Sequence, residues 1–176
     1  MGRGYPPDSF RLALKAPQSI THKARLRDCA ETVRVFCDRA ATLGEKLGPV
    51  LFQLPPWFRK DLDVLGEFCG CLPEGAHAAF EFRHRSWFED DTFQLLRDRG
   101  LALCIADSEK LSTPVVSTAD YVYFRLRDEG YGPDDIMRWA NAVREQQPRE
   151  CFVYFKHEEA GKGPEFARQL MEQLRS

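Results

Sequence analysis

Short apolar runs alternate with amphipathic stretches along the whole chain. Phe10-Arg11-Leu12-Ala13-Leu14-Lys15 has a short extended pattern, and a loop over residues 16–22 follows it. From Arg25 to Lys46 apolar residues recur every three or four positions (Leu26, Cys29, Val33, Phe36, Ala40, Leu43), which predicts a helix. Gly48-Pro49 reads as punctuation before a second strand, Val50–Leu54, which Pro55-Pro56 stops. Leu62, Leu65, Phe68 and Leu72 share one face of a short helix, and Pro73-Glu74-Gly75 turns into a third strand, Ala78–Phe82. The acidic Glu89-Asp90-Asp91 opens a helix that runs to Arg99 and stops at Gly100. Leu101–Ala106 and Tyr121–Leu126 are the fourth and fifth strands. Pro133 begins a helix carrying Ile136, Trp139, Ala140 and Val143; Cys151–Phe155 is the sixth strand, and Gly163-Pro164-Glu165 opens a last helix with Phe166, Leu170 and Leu174.

Strands that are apolar on both faces and alternate with helices predict an α/β fold with a parallel sheet. The two regular solutions are a doubly wound sheet and a TIM-type (β/α) barrel. No GxGxxG follows the first strand and no Walker A loop occurs, which disfavours a nucleotide-binding doubly wound sheet. Polar residues gather just after the strands: Lys15; Gln53; Glu81 with Arg83 and His84; Asp107; Arg125; Lys156 with His157. In a parallel sheet those positions share the C-terminal rim, where such folds place their sites.

At 176 residues, 43% hydrophobic and 30% charged, the composition is that of one globular domain, over residues 1–176. No apolar run approaches the ~20 residues of a membrane span. The net charge of −2 exerts no global pull on nucleic acid, but it is uneven: residues 1–60 hold 11 Lys and Arg against 5 Asp and Glu. Self-complementarity within the fold accounts for that asymmetry, and a local anion-binding patch is the sharper reading. Six cysteines show no zinc spacing, since Cys69 and Cys71 are separated by one residue. With no leader-like start, reduced thiols in the cytoplasm are expected.

Three blocks carry a resemblance. Lys15-Ala16-Pro17, Ile20-Thr21-His22 and Arg25-Leu26 form one; the run Leu47–Pro56 is the second; Glu81-Phe82-Arg83-His84, with Ser86-Trp87-Phe88, is the third. With Asp107 and the Tyr121–Arg125 strand behind them, they resemble the YecE-like family of bacterial proteins, known as domain of unknown function 72. The resemblance implies a TIM-type (β/α) barrel without an established activity. Against the family pattern the chain begins at what reads as the third strand, so the first two βα units are expected to be lacking and six strands to be present. Phe155-Lys156-His157-Glu158-Glu159 departs from the Asn-rich loop of many members.

Glu81, Asp107 and His84 are the candidate catalytic residues. Glu81 suits a general base or metal ligand, Asp107 ends the most apolar strand, and His84 can shuttle protons near neutral pH. Lys15, His22, Arg25, Arg83, Trp87, Arg125 and Lys156 are the candidate substrate-binding residues, with Arg able to grip carboxylate or phosphate bidentately. Glu81 with Asp107 is a weak candidate for holding a divalent metal. The bland alternative is that Glu81 and Arg83 form an internal ion pair. Arg127 is expected to be solvated, Gln53 to satisfy loop backbone, and Trp87 to act as a packing lid rather than a stacking platform. The leading functional reading is an enzyme, a phosphoester hydrolase working on an anionic small molecule or nucleic-acid fragment. The competing readings are a non-catalytic binder of anionic ligand or nucleic acid, and a truncated relative without activity. No membrane partner is expected.

Overall fold

A computed structural model describes residues 7, 9–107, 111–127, 130–156 and 161–175. Six parallel strands lie side by side in sequence order: β1 (Leu12–Lys15), β2 (Leu47–Gln53), β3 (Ala78–Glu81), β4 (Ala102–Ala106), β5 (Tyr121–Leu126) and β6 (Glu150–Phe155). The helices are α1 (Ala30–Ala41), α2 (Leu62–Gly70), α3 (Asp90–Asp98), α4 (Pro133–Gln146) and α5 (Lys162–Arg175). The sheet curls into a half-barrel. Among the described residues β1 pairs only with β2 and β6 only with β5, so this chain leaves two open edges.

The period-two alternation of the strands divides the core. Outward residues Leu14, Val50, Phe52, Ala78, Phe80 and Leu103 pack under α1, α2 and α3, with the Phe52 ring 5.1 Å from Phe68 and 5.4 Å from Phe80. Ile105, Val122, Phe124 and Leu126 pack under α4 and α5. The inward, concave face holds Leu51, Ala79, Ala102, Cys104, Ala106, Tyr121 and Tyr123. Its floor is smallest at β3 and β4, where Ala or Cys stands at each inward position below the rim. At the bottom of the concavity Tyr121 reaches from β5 to β3, its hydroxyl donating to the Ala78 carbonyl at 2.8 Å and accepting from the Ala78 N–H at 2.9 Å.

Two expectations change. The helix expected over Arg25–Lys46 is shorter, α1 preceded by a π-helical turn at Ser19–Lys23. Arg25, Leu26 and Asp28 have φ of 54°, 65° and 46°, left-handed values that no helix propagates. The apolar period survives because Leu26 and Cys29 still point into the core shared with Val33. Gly48-Pro49 is part of β2 rather than punctuation. The register slips there, Leu12 facing Leu47 but Leu14 facing Val50, so β2 carries an extra residue where proline offers no N–H. A Cβ on Gly48 would lie 3.3 Å from the Leu12 carbonyl oxygen, which is why the slip takes glycine. Between β4 and β5 the described residues 111–120 form no helix; instead Thr118 sits on the β4 backbone, donating to the Leu101 carbonyl and accepting from the Leu103 N–H, both at 2.7 Å.

Candidate functional site

The inward alternation of each strand delivers polar side chains where the strand ends. Lys15 follows Ala13, Gln53 follows Leu51, Glu81 follows Ala79, and Arg125 follows Tyr121 and Tyr123. Gln53 faces Glu81 in the β2–β3 register, and Arg125 faces Ala106 in the β4–β5 register. Parallel strands put all of these ends on one rim.

Glu81 is the hub. Its side chain is 1% exposed, and both oxygens are engaged. Oε1 accepts from Arg83 Nε at 3.0 Å, while Oε2 accepts from Gln53 Nε2 at 2.8 Å and Arg125 Nη1 at 2.9 Å. Gln53 extends the chain, its Oε1 accepting from Lys15 Nζ at 2.8 Å. Burial alone would raise the Glu81 pKa; Arg125, the Gln53 amide and Arg83 outweigh it and hold the carboxyl below its usual range. The internal ion pair weighed as the bland alternative therefore exists, with Arg125 as a second partner.

The cations that surround this carboxylate exceed it. Burial depresses the Lys15 pKa, and the fields of Arg125, Arg83 and Lys156 add to that while Glu81 opposes it. Arg127 is not the solvated residue expected: its Nε is buried with no hydrogen-bond partner among the described residues. Burial lowers its pKa first, and Arg83 and Arg125 lower it further against Glu81 and Asp107. Gln53 likewise corrects the expectation of a loop role, since it is the buried link between Lys15 and Glu81.

Asp107 follows β4 and is 5% exposed. Its Oδ1 accepts from the Arg127 N–H at 2.9 Å and its Oδ2 from the Tyr131 hydroxyl, which in turn accepts from Trp139 Nε1 at 2.9 Å. His22 lies in the β1–α1 connection with Nδ1 2.9 Å from Thr21 Oγ1. Burial, then Lys15 and Arg83, lowers its pKa, so the imidazole is neutral at pH 7. Lys156 follows β6, is exposed, and donates its backbone N–H to Leu126 at 2.8 Å. His157, Glu158 and Glu159 lie outside the described residues.

Three candidates make no bond to this cluster among the described residues. Trp87 is 0% exposed, stacked on Phe82 at 4.6 Å and donating Nε1 to the Phe58 carbonyl at 2.8 Å, so its ring is enclosed by the core. Its flanking Phe58 and Phe82 belong to the same core, so it packs rather than offering a stacking platform. His84 caps the short turn Arg85–Trp87, with Nδ1 accepting from the Ser86 N–H at 3.2 Å. Arg25 is exposed, and rather than opening a helix it lies over the Trp57 ring, 4.9 Å from its centroid. For a metal, no group of three or more His, Cys, Asp or Glu comes together among the described residues. No helix of the described residues is long and apolar enough to cross a membrane.

Residues 5–176 match the model of the family described as protein of unknown function DUF72. The chain belongs to the DUF72 family. The UPF0759 protein YecE of Escherichia coli (strain K12) is 35% identical over 107 residues, covering 57% of this chain and 39% of that protein. The UPF0759 protein YunF of Bacillus subtilis (strain 168) is 24% identical over 96% of this chain and 74% of its own length. The match thus spans well under half of YecE. Among solved structures, a DUF72 family protein from Thermotoga maritima MSB8 superposes with a TM-score of 0.84 at 26% identity, covering 97% of this chain and 75% of the other. A DUF72 family protein from Enterococcus faecalis V583 shares the fold at 21% identity, with a TM-score of 0.78 and 97% and 80% coverage. The resemblance read from the three sequence blocks is thereby borne out, as is the barrel-type α/β fold, and membership carries no established activity with it.

Proposed function

We propose that the C-terminal rim of this DUF72 protein is a binding site for an anionic ligand, best fitted to a phosphoryl group. The observation that supports this most is the excess of cations around Glu81. Arg83 and Arg125 are held by its carboxylate, Lys15 by Gln53, and Arg127 adds a buried guanidinium nitrogen without a partner among the described residues. A carboxylate with both oxygens bonded and a lowered pKa is a poor proton acceptor. Glu81 acts instead as the strut that presents the arginines, each of which keeps N–H groups for bidentate contact. A dianionic phosphoryl group matches the surplus charge better than a single carboxylate does.

A second reading, phosphoester hydrolysis, is favoured by His22. Burial, then Lys15 and Arg83, keep its imidazole neutral and so free to accept a proton from water, while the same influences oppose the imidazolium that results. The water oxygen would then bond to phosphorus, the P–O ester bond would break, and the leaving oxygen would take up, through solvent, the proton that His22 accepted.

Calorimetric titration with inorganic phosphate tests the first reading. Expected is saturable binding that weakens with salt and with Arg83→Ala; no binding at low salt overturns it. Turnover of a chromogenic phosphomonoester, lost in His22→Ala while phosphate still binds, supports hydrolysis. Binding without turnover leaves the protein a binder.

A further inference from the structure

The loops leaving the ends of β1 and β2 bring an indole and a guanidinium together. Pro55-Pro56 ends the backbone freedom after Gln53, and Trp57 follows with 53% of its surface exposed, the most exposed large hydrophobic residue among those described. The other two tryptophans, Trp87 and Trp139, are buried at 0% and 6%. One approach to the Trp57 ring is taken by the Arg25 guanidinium, 4.9 Å from the centroid. Arg25 reaches it from a backbone with φ 54°, a conformation that L residues rarely adopt. Both loops rise from the ends of neighbouring strands whose terminal side chains, Lys15 and Gln53, are already joined at 2.8 Å. An exposed indole paired with a guanidinium, on loops that leave the strands ending in Lys15 and Gln53, is a surface on which a flat aromatic ring can stack.

Resting on the anion-binding reading, we propose that the ligand is a nucleobase-bearing phosphate, its phosphoryl group on Arg83, Arg125 and Lys15 and its base stacked on the face of Trp57 that Arg25 leaves open. The geometry selects for a flat aromatic ring rather than for a particular base, because the platform supplies a π-face and a planar cation and no base-edge donor set. A mononucleotide and a single-stranded oligonucleotide present the same pair of groups, and the same experiment separates them.

The full chain would be titrated calorimetrically with inorganic phosphate, ribose 5-phosphate, AMP and a single-stranded hexa-adenylate. Expected is AMP binding about 10-fold tighter than ribose 5-phosphate, with quenching of the exposed indole fluorescence. Trp57→Ala should erase that preference and leave ribose 5-phosphate binding unchanged, and Trp57→Phe should restore most of it. A gain for the hexamer over AMP of more than ~10-fold, with a steep salt slope, marks a strand binder; parity marks a mononucleotide site. Equal binding of AMP and ribose 5-phosphate overturns the nucleobase proposal while leaving the anion site standing. A preference that survives Trp57→Ala overturns the platform. Failure of every ligand, phosphate included, overturns the rim reading and this one with it.

Discussion

Arg125 on β5 donates to Glu81 on β3 at 2.9 Å, although β4 runs between them. The contact exists because β4 presents only Ala102, Cys104 and Ala106 to the concavity. Small residues on the central strand let the long side chain of one neighbour cross to the short one of another. The curvature of the sheet and the composition of the site are thus one property.

Removing the strut tests that relation. Glu81→Gln leaves Arg83 and Arg125 without their counter-charge, but those side chains are 27% and 18% exposed, so water relieves part of the loss. The expected cost is about 2 kcal/mol, below the roughly 3–5 kcal/mol of a fully buried pair. The folded Glu81 pKa lies below its ordinary 4.5. Its contribution is therefore complete above about pH 4.5 and is lost as pH falls through the lower folded value. Denaturant melts across pH 3–7 should show a shallower acid limb for Glu81→Gln than for the parent. Identical limbs would remove Glu81 from the stability of the rim.

The floor is as testable as the strut. Ala106 faces Arg125 across the β4–β5 ladder and is 6% exposed. Ala106→Leu puts a branched side chain in the path from Arg125 to Glu81. Overpacking of this kind costs about 1–3 kcal/mol, and phosphate affinity should fall along with stability. Cys151→Leu is the matched control, since Cys151 is exposed on β6; it should leave both unchanged. A stable Ala106→Leu variant with undiminished affinity would show that the Arg125–Glu81 contact is dispensable for binding.

Much of this was legible in the strands and little of it in the loops. All six strands coincide with apolar runs; β2 to β5 are buried on both faces and need them, while β1 and β6 are only partly buried. The same alternation that sets the runs also places Lys15, Gln53, Glu81 and Arg125 inward. Arg127 continues that alternation from Tyr121, Tyr123 and Arg125, a signal that outweighs its position past the strand end. Gln53 was legible in the same way, as the inward successor of Leu51. The turn at Arg25–Asp28 was not, since left-handed backbone at Arg, Leu and Asp leaves no mark like the glycine or proline that usually announces it. Trp87 shows the opposite difficulty: its spacing from Glu81 suggests the rim, yet packing against Phe58 and Phe82 draws it into the core.

His22 supplies a probe that reads the site without perturbing it. In the unliganded protein its ring should titrate below 6.5, because burial and then Lys15 and Arg83 disfavour the imidazolium. A phosphoryl dianion placed among those cations opposes their field. Saturating phosphate should therefore raise the His22 pKa, observed as an upfield-to-downfield movement of its carbon-bound ring protons at a higher pH. Lys15→Met should raise it without ligand, by removing one of the two opposing charges. A His22 titration indifferent to phosphate would place the anion elsewhere.

Arg127 sets function against stability. Its buried Nε has no partner among the described residues, and its guanidinium shares the site with Arg83 and Arg125. An unsatisfied buried donor costs about 1–3 kcal/mol, a cost that a bound anion would offset. The Asp107 bond at this position comes from the Arg127 backbone N–H, so it survives a change of side chain. Arg127→Met keeps the aliphatic bulk while removing the stranded donor and one like charge. The unliganded variant should melt at or above the parent temperature, yet bind phosphate at least about 10-fold more weakly, the loss of one charge-assisted hydrogen bond. Thermal melts with and without phosphate measure both quantities on one sample. A variant that loses stability but keeps its affinity would mark Arg127 as structural, and the rim would then rest on Lys15, Arg83 and Arg125 alone.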